Sequence, residues 1–281
     1  MSFASLTDKI VLVTGGARGI GKGLARACVE AGARVIITNR DPATGRAAAA
    51  ELGPPERVRS VVCDGTVRAE VDALLDDIWR TEGPLDLVFS NAGTGGKERA
   101  LTATMAEIHA LMATNFESAV HLAQACVPRM QAVGKPAHIM FTASEHALAL
   151  PDGNADLGFA FYGVSKHAMH IFAEWLRADL AGSNVSVSLL LPGPVLTEGV
   201  QSAFRQLEAN PDDPAIRAVF SKPVEALLRA RAISTETCAE RALKGLRAGL
   251  FYIPTQPHIK TDVDLRHQTL TDAFLRMGLT P

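Results

Sequence analysis

Short apolar runs alternate with longer amphipathic stretches through the first 191 residues, and this alternation constrains the fold more than any other feature. Residues 9–14, 34–38, 58–63, 85–90, 138–144 and 185–191 are near-continuous apolar runs, the pattern of strands buried on both faces. Helices are expected between them, over 21–30, from Pro42 through Ala50, over 67–79, about 104–131 and 162–180. Strict βαβα order implies a parallel sheet with helices on both sides: a doubly wound, Rossmann-like α/β fold. A length of 281 residues suits one such domain, and the 47% hydrophobic fraction supplies a core without disulfides or a metal. The four cysteines, Cys28, Cys63, Cys126 and Cys238, show no C-x-x-C spacing.

The alternation breaks after Pro192. Residues 1–193 are expected to form the cofactor-binding and catalytic core, 194–235 a helical lid over the substrate, and 236–281 a helix-strand-helix extension. Within the lid, Asn210 to Pro214 reads as a turn between two short helices. Thr237 to Glu240 has the form of a capping box opening a helix that ends near Gly249. Residues 250–253 read as a last strand and 261–277 as a final helix.

Twenty-eight basic and thirty acidic residues nearly balance, which argues against nucleic acid as a partner. No run approaches the ~18 apolar residues of a membrane span, and no basic-then-apolar leader opens the chain. A soluble, cytoplasmic protein with a small-molecule substrate is expected.

Between the first strand and first helix lies Thr14-Gly-Gly-Ala-Arg-Gly-Ile-Gly21. Glycines at 15, 19 and 21 permit a tight turn and bring backbone N–H groups, with the positive end of a helix dipole, up to a pyrophosphate. Gly16 to Lys22 also fits the opening of a phosphate-binding G-x-x-x-x-G-K loop. Position 23 is glycine, however, where that motif needs a hydroxyl to reach Mg²⁺, so kinase or ATPase chemistry is excluded. Tyr162-Gly-Val-Ser-Lys166 places a phenol and an ammonium on one face of a helix. A free phenol titrates near ~10, and a neighbouring ammonium favours the phenolate, which suits Tyr162 to acid/base work tuned by Lys166.

Taken together, these motifs resemble those of the short-chain dehydrogenase/reductase family, in its one-domain branch, over residues 6 to 200. The resemblance implies that Asp64, with Gly65 beside it, contacts adenine, and that Asn91-Ala92-Gly93 is the family's N-A-G motif. It further implies that Asn115 is the relay asparagine, and that Pro192-Gly193, with Val195 and Thr197 beyond, lines the nicotinamide. Gly15, Arg18, Gly19, Ile20 and Gly21 are the implied pyrophosphate loop, with Tyr162 and Lys166 also touching cofactor. It implies a catalytic set of Ser144, Tyr162, Lys166 and Asn115, with Ser144 bonding the substrate oxygen. The Ser-to-Tyr separation of 18 exceeds the family's usual spacing of about 13, so Thr142 stays open as the alternative hydroxyl, and residues 150–157 are expected to absorb the difference as an extended loop.

Cofactor choice turns on the end of the second strand, where an acid favours NAD and a nearby arginine accommodates the 2′-phosphate of NADP. Asn39 is neutral, Arg40 follows, and Arg18 lies within reach, so NADP is expected. Asp41 keeps NAD as the alternative. The expected reaction interconverts a secondary alcohol and a ketone. A cofactor-binding regulator without turnover is the reading from another class. The longer epimerase or dehydratase branch is disfavoured by its different glycine loop. Leu148, Leu150, Phe159, Phe161, Phe204 and Phe220 favour an apolar or ring-bearing substrate. His167, Ile171 and Trp175 offer a face for a homodimer or homotetramer, and Asn91 is expected to hold backbone beside the cofactor. His167, His170 and Glu174 are read as helix-face residues, with no metal site.

Overall fold

A computed structural model of the chain describes residues 3–97, 99–151, 157–217 and 220–279. In chain order the elements are β1 (Ile10–Thr14), α1 (Gly19–Glu30), β2 (Arg34–Asn39), α2 (Pro42–Leu52), β3 (Val58–Val62), α3 (Arg68–Thr81), β4 (Leu87–Ser90) and α4 (Met105–Met112). A π-helical turn (Ala113–Glu117) leads into α5 (Ser118–Val133), β5 (Ala137–Thr142), a 3₁₀ turn (Glu145–Ala147), α6 (Ala160–Asp179) and β6 (Val185–Leu191). The rest comprises α7 (Glu198–Ala209), α8 (Pro214–Arg217), α9 (Lys222–Arg231), α10 (Thr235–Arg247), β7 (Tyr252–Pro254) and α11 (Ile259–Arg276).

Among the described residues the strands form one parallel sheet in the order β3-β2-β1-β4-β5-β6-β7. Strand periodicity sorts the core into two layers. Val11, Val13, Val35, Ile37, Leu87 and Phe89 belong to the cluster that includes Leu24 of α1, Ala49 of α2 and Leu243 of α10. Leu12, Ile36, Val88, Ile139 and Phe141 belong to the opposite cluster, with Leu75 of α3, Leu122 of α5 and Met169 of α6. Fully burying each such side chain contributes about 1.5–3 kcal/mol, so the central strands hold both layers in place. Strand order reverses between β1 and β4, and the crevice beyond their carboxyl ends is where such sheets bind ligands.

The chain leaves this framework after β6 and returns through a narrow neck. Val195 and Ile233 pair in a parallel bridge, Leu196 N donating to Ile233 O at 2.8 Å and Ile233 N to Pro194 O at 3.1 Å. Everything between them, α7 to α9, is one excursion rooted beside the crevice. It holds three helices among the described residues where two were expected. The expected capping box at Thr237 is not the start of α10. Ser234 is the N-cap, its hydroxyl accepting from Thr237 N at 3.1 Å, so the helix begins at Thr235. The long helix expected over 104–131 is broken by the π turn, which buries Asn115 completely. Residues 152–156, within the loop expected near the substrate, lie outside the described residues.

Candidate active site

The glycine loop has the backbone its composition implies. Gly15 and Gly19 sit at φ +63° and +52°, a region L side chains rarely adopt. A β-carbon on Gly15 would approach Ala92 Cα to 3.0 Å, and one on Gly21 would strike Gly15 O at 2.3 Å. The loop therefore lies flush against the end of β4. Thr14 stitches the two strand ends together: its Oγ1 accepts from Asn91 N (2.9 Å) and Ala92 N (3.0 Å), while Asn91 Nδ2 donates to Thr14 O at 3.1 Å. Asn91 thus holds backbone. Helix α1 starts at Gly19 without a side chain from its own N-cap, and Gly19 N donates instead to Glu198 Oε2 at 2.8 Å from α7. Ile20 packs against the core layer behind this loop, Val195 is buried in that layer, and Thr197 approaches Gly19.

Beside the loop opens a cleft of about 300 Å³ lined by Gly15, Asn39, Arg40, Asp64, Gly65, Ala92 and Gly93. Asp64 is held ionised, below the usual carboxylate range, first by the Thr66 backbone N–H, then by its hydroxyl, with Arg40 adding to the effect. At the end of β2, Asn39 Nδ2 donates to Asp41 O at 2.9 Å. The Asp41 carboxylate caps α2, accepting from Ala43 N and Thr44 Oγ1 at 2.9 and 2.6 Å. Arg18 Nη2 donates to the same Thr44 hydroxyl at 3.2 Å. This corner carries two guanidinium groups, and its carboxylate at position 41 is already engaged.

Across the crevice the structure brings Ser144, Tyr162 and Lys166 together. Ser144, just beyond β5, acts on the Tyr162 phenol to lower its pKa, and its hydroxyl accepts from His146 N at 3.2 Å. Thr142 is not so placed: its Oγ1 is buried with no hydrogen-bond partner among the described residues, and its carbonyl accepts from Lys166 Nζ at 3.0 Å. Lys166 Nζ lies 5.6 Å from the Tyr162 ring centroid, and burial lowers its pKa to about 8. The phenol is corrected in direction. It is held above its ordinary value, because burial outweighs the Ser144 hydrogen bond and the Glu145 charge acts the same way as burial. Asn115 saturates nearby backbone: Oδ1 accepts from Thr94 N (2.8 Å), and Nδ2 donates to Thr94 O (2.9 Å) and to Ser165 Oγ (3.1 Å). Its amide fixes the chain after Gly93, and a β-carbon on Gly93 would lie 3.2 Å from Asn115 Oδ1 and 3.5 Å from Lys166 Nζ. The Pro192-Gly193 turn completes this wall, Gly193 N donating to Gln256 Oε1 at 2.9 Å.

A family model described as short chain dehydrogenase matches residues 9–208. The chain belongs to the short-chain dehydrogenase/reductase family. A 1-deoxy-11-beta-hydroxypentalenate dehydrogenase of Streptomyces avermitilis is 38% identical over 68% of this chain and 70% of that protein. Momilactone A synthase of Oryza sativa subsp. japonica is 31% identical over 85% of this chain and 83% of its own length. A short chain dehydrogenase/reductase from Burkholderia phymatum, crystallised with NAD, superposes with a TM-score of 0.81 at 25% identity, covering 99% and 97% of the two chains. The protein is thus an oxidoreductase acting on CH–OH groups, of a family that binds NAD or NADP.

Outward from Tyr162, the rings of Phe159 and His146 pack against the phenol at centroid distances of 4.9 and 5.7 Å. Both also line a cavity of about 560 Å³ with Ala149, Leu150, Val164, Arg99 and His167. Burial holds His146 neutral, with its pKa lowered to about 4. Of the other expected apolar residues, Phe204 lies away from this cavity under the Arg229 guanidinium, 4.3 Å from its centroid, and packs the excursion internally. His170 turns to Ala147 O and the Tyr252 hydroxyl, and among the described residues no His, Cys, Asp or Glu cluster is arranged for a metal. Ile171 and Trp175 are exposed on α6, and no helix of the described residues is long and apolar enough to cross a membrane. Glu145, His258, His146 and Glu198 escaped the sequence reading. Glu145 adjoins Ser144, but nothing in the sequence links it to His258, 113 residues away.

Proposed function

We propose that the protein interconverts a secondary alcohol and a ketone with NADP as its cofactor, Tyr162 serving as acid and base. The observation carrying this reading is the buried Lys166 ammonium 5.6 Å from the Tyr162 ring, with the Ser144 hydroxyl just beyond β5 acting on the same phenol. The residues present fit a dinucleotide: Gly15, Gly19 and Gly21 form a cradle that β-carbons would fill, and the ionised Asp64 borders the cleft beside it. Gly15, Arg18, Gly19, Ile20 and Gly21 would hold the pyrophosphate, and Asp64 and Gly65 the adenine. Asn91, Ala92, Gly93, Pro192, Gly193, Val195 and Thr197 would surround the nicotinamide half. Arg40 and Arg18 would take the 2′-phosphate, which favours NADP because Asn39 is neutral and Asp41 is engaged as a helix cap.

The bound dinucleotide supplies or accepts the hydride. In the reducing direction Tyr162 gives its proton to the carbonyl oxygen while Ser144 donates a hydrogen bond that orients and polarises it. Lys166 steadies the strand end through Thr142 O and favours the phenolate left behind. Asn115 keeps Gly93 and Thr94 in register with this group. Residues 194–235 act as the substrate lid, and the protein assembles as a homodimer or homotetramer through the α6 face bearing Ile171 and Trp175.

The substrate is apolar and ring-bearing. The cavity next to Phe159 and His146 is of suitable size and character, and one relative is named for a hydroxylated pentalenate. Purified protein, screened against cyclic alcohols and ketones with all four nicotinamide dinucleotides, tests the reading. It expects turnover with NADP or NADPH at least tenfold above that with NAD or NADH. Binding without consumption across the whole panel contradicts it.

A further inference from the structure

The excursion from α7 to α9 rests on α1 at both of its roots. The far root is fixed by packing: a β-carbon on Gly23 would stand 2.7 Å from Thr235 O, at the start of α10. The near root lies on the glycine loop. A β-carbon on Gly19 would stand 3.1 Å from Thr197 Cγ2, and Gly19 N donates to Glu198 Oε2 at 2.8 Å. Glu198 is exposed and is the first residue of α7, so its carboxylate lies at the N-termini of two helices, its own and α1. A carboxylate in contact with water carries its charge at neutral pH, and a helix N-terminus attracts that charge. Among the described residues this carboxylate enters no ion pair, and Gly19 N is its one hydrogen-bond donor. The cations of α1 are turned elsewhere: Arg18 donates to Thr44 Oγ1 at 3.2 Å, Lys22 to Glu51 Oε2 at 2.7 Å and Arg26 to Glu51 Oε1 at 3.1 Å.

We infer that Glu198 sets the affinity of the dinucleotide cleft: its carboxylate holds the N-terminus of α1 that a pyrophosphate needs, and a bound dinucleotide displaces it. The inference rests on the reading that Gly15, Gly19 and Gly21 cradle the pyrophosphate. A helix start has few free N–H groups. In α1 those of Gly19, Ile20 and Gly21 precede Lys22 N, which already donates to Arg18 O at 3.1 Å, and Glu198 takes the first of the three. Two anions brought to one helix N-terminus compete for its donors and repel each other. Tying α7 to α1 would need only a neutral acceptor, whereas a carboxylate adds a charge of the same sign as the ligand. The coupling is reciprocal: the factor by which Glu198 weakens the dinucleotide is the factor by which the dinucleotide weakens the hold of Glu198 on α1.

Glu198→Gln keeps an acceptor for Gly19 N and removes the charge. Dissociation constants of NADPH, NADH and ADP are measured by calorimetry for wild type and this variant, with circular dichroism showing the fold intact. All three ligands carry a pyrophosphate, and all three are expected to bind Glu198→Gln about five- to tenfold more tightly than wild type. The gain shrinks at about 1 M salt, where charges are screened within about 3 Å. Unchanged or weaker binding overturns the inference, because a contact that merely ties α7 to α1 needs no charge. A gain confined to NADPH and NADH also overturns it, because an effect at the nicotinamide spares ADP. If Glu198→Gln does not fold, the same comparison with Glu198→Ala decides. The preference for NADP is read separately, from the wild-type constants of NADPH and NADH, so a wrong cofactor assignment leaves this comparison standing. Failure of all three ligands to bind wild type contradicts the proposed function, and the inference with it.

Discussion

Arg40 lines the cleft, lowers the pKa of Asp64 and follows a neutral asparagine at the end of β2. Charge-assisted bonds to a phosphate contribute about 1.5–3 kcal/mol, so Arg40→Ala is expected to weaken NADPH binding about 10- to 100-fold and leave NADH binding unchanged. Fluorescence titration with both cofactors checks it; equal losses would show that Arg40 does not discriminate. At this scale much was legible, because backbone demands are written in residue type. Only glycine suits Gly15 at φ +63°, and only a four-residue step sets Lys166 one turn from Tyr162. Protonation was not legible. A neighbouring ammonium argues for a lowered phenol, but burial raises it, and the rings of Phe159 and His146 that pack against it are brought there by tertiary structure.

Elements whose signals are local were readable, and those shaped by packing were misjudged at their ends. The central strands announce themselves because burial on both faces makes them mostly apolar, Val11 to Val13, Val35 to Ile37 and Leu87 to Phe89 above all. The start of α10 was misplaced because Thr237 and Ser234 both offer a capping hydroxyl, and close packing against α1 selects the earlier one. A β-carbon on Gly23 would reach Thr235 O at 2.7 Å. Ser234→Ala should therefore cost about 1 kcal/mol, read as a lowered denaturation midpoint, whereas Glu240→Ala should change little. The π turn at Asn115 accompanies a pair of bonds from Asn115 to Thr94, 21 residues earlier, a contact that helical periodicity does not announce. The excursion from α7 to α9 follows β6, and the neck at Val195 and Ile233 joins residues 38 apart, beyond the reach of periodicity.

Across the whole molecule, two histidines couple stability to acid. His138 lies in β5 between Ser186 Oγ and Ser188 Oγ, both at 2.7 Å, and burial lowers its pKa to about 3; that of His146 falls to about 4. Each binds a proton more readily in the unfolded chain, where it titrates near 6.5. Stability is therefore full above that pH and declines as pH drops toward 4, by up to about 1.4 kcal/mol per pH unit for each group. Urea denaturation from pH 7 to pH 4.5 should show the decline, and His138→Gln should flatten it. The account as a whole depends on the phenol at the head of α6 as the group that exchanges a proton with substrate. The most direct test compares wild type with Tyr162→Phe for steady-state turnover and for dinucleotide binding. Turnover is expected to fall about 100- to 10,000-fold with binding unchanged. Turnover near the wild-type rate in the phenylalanine variant would contradict the account.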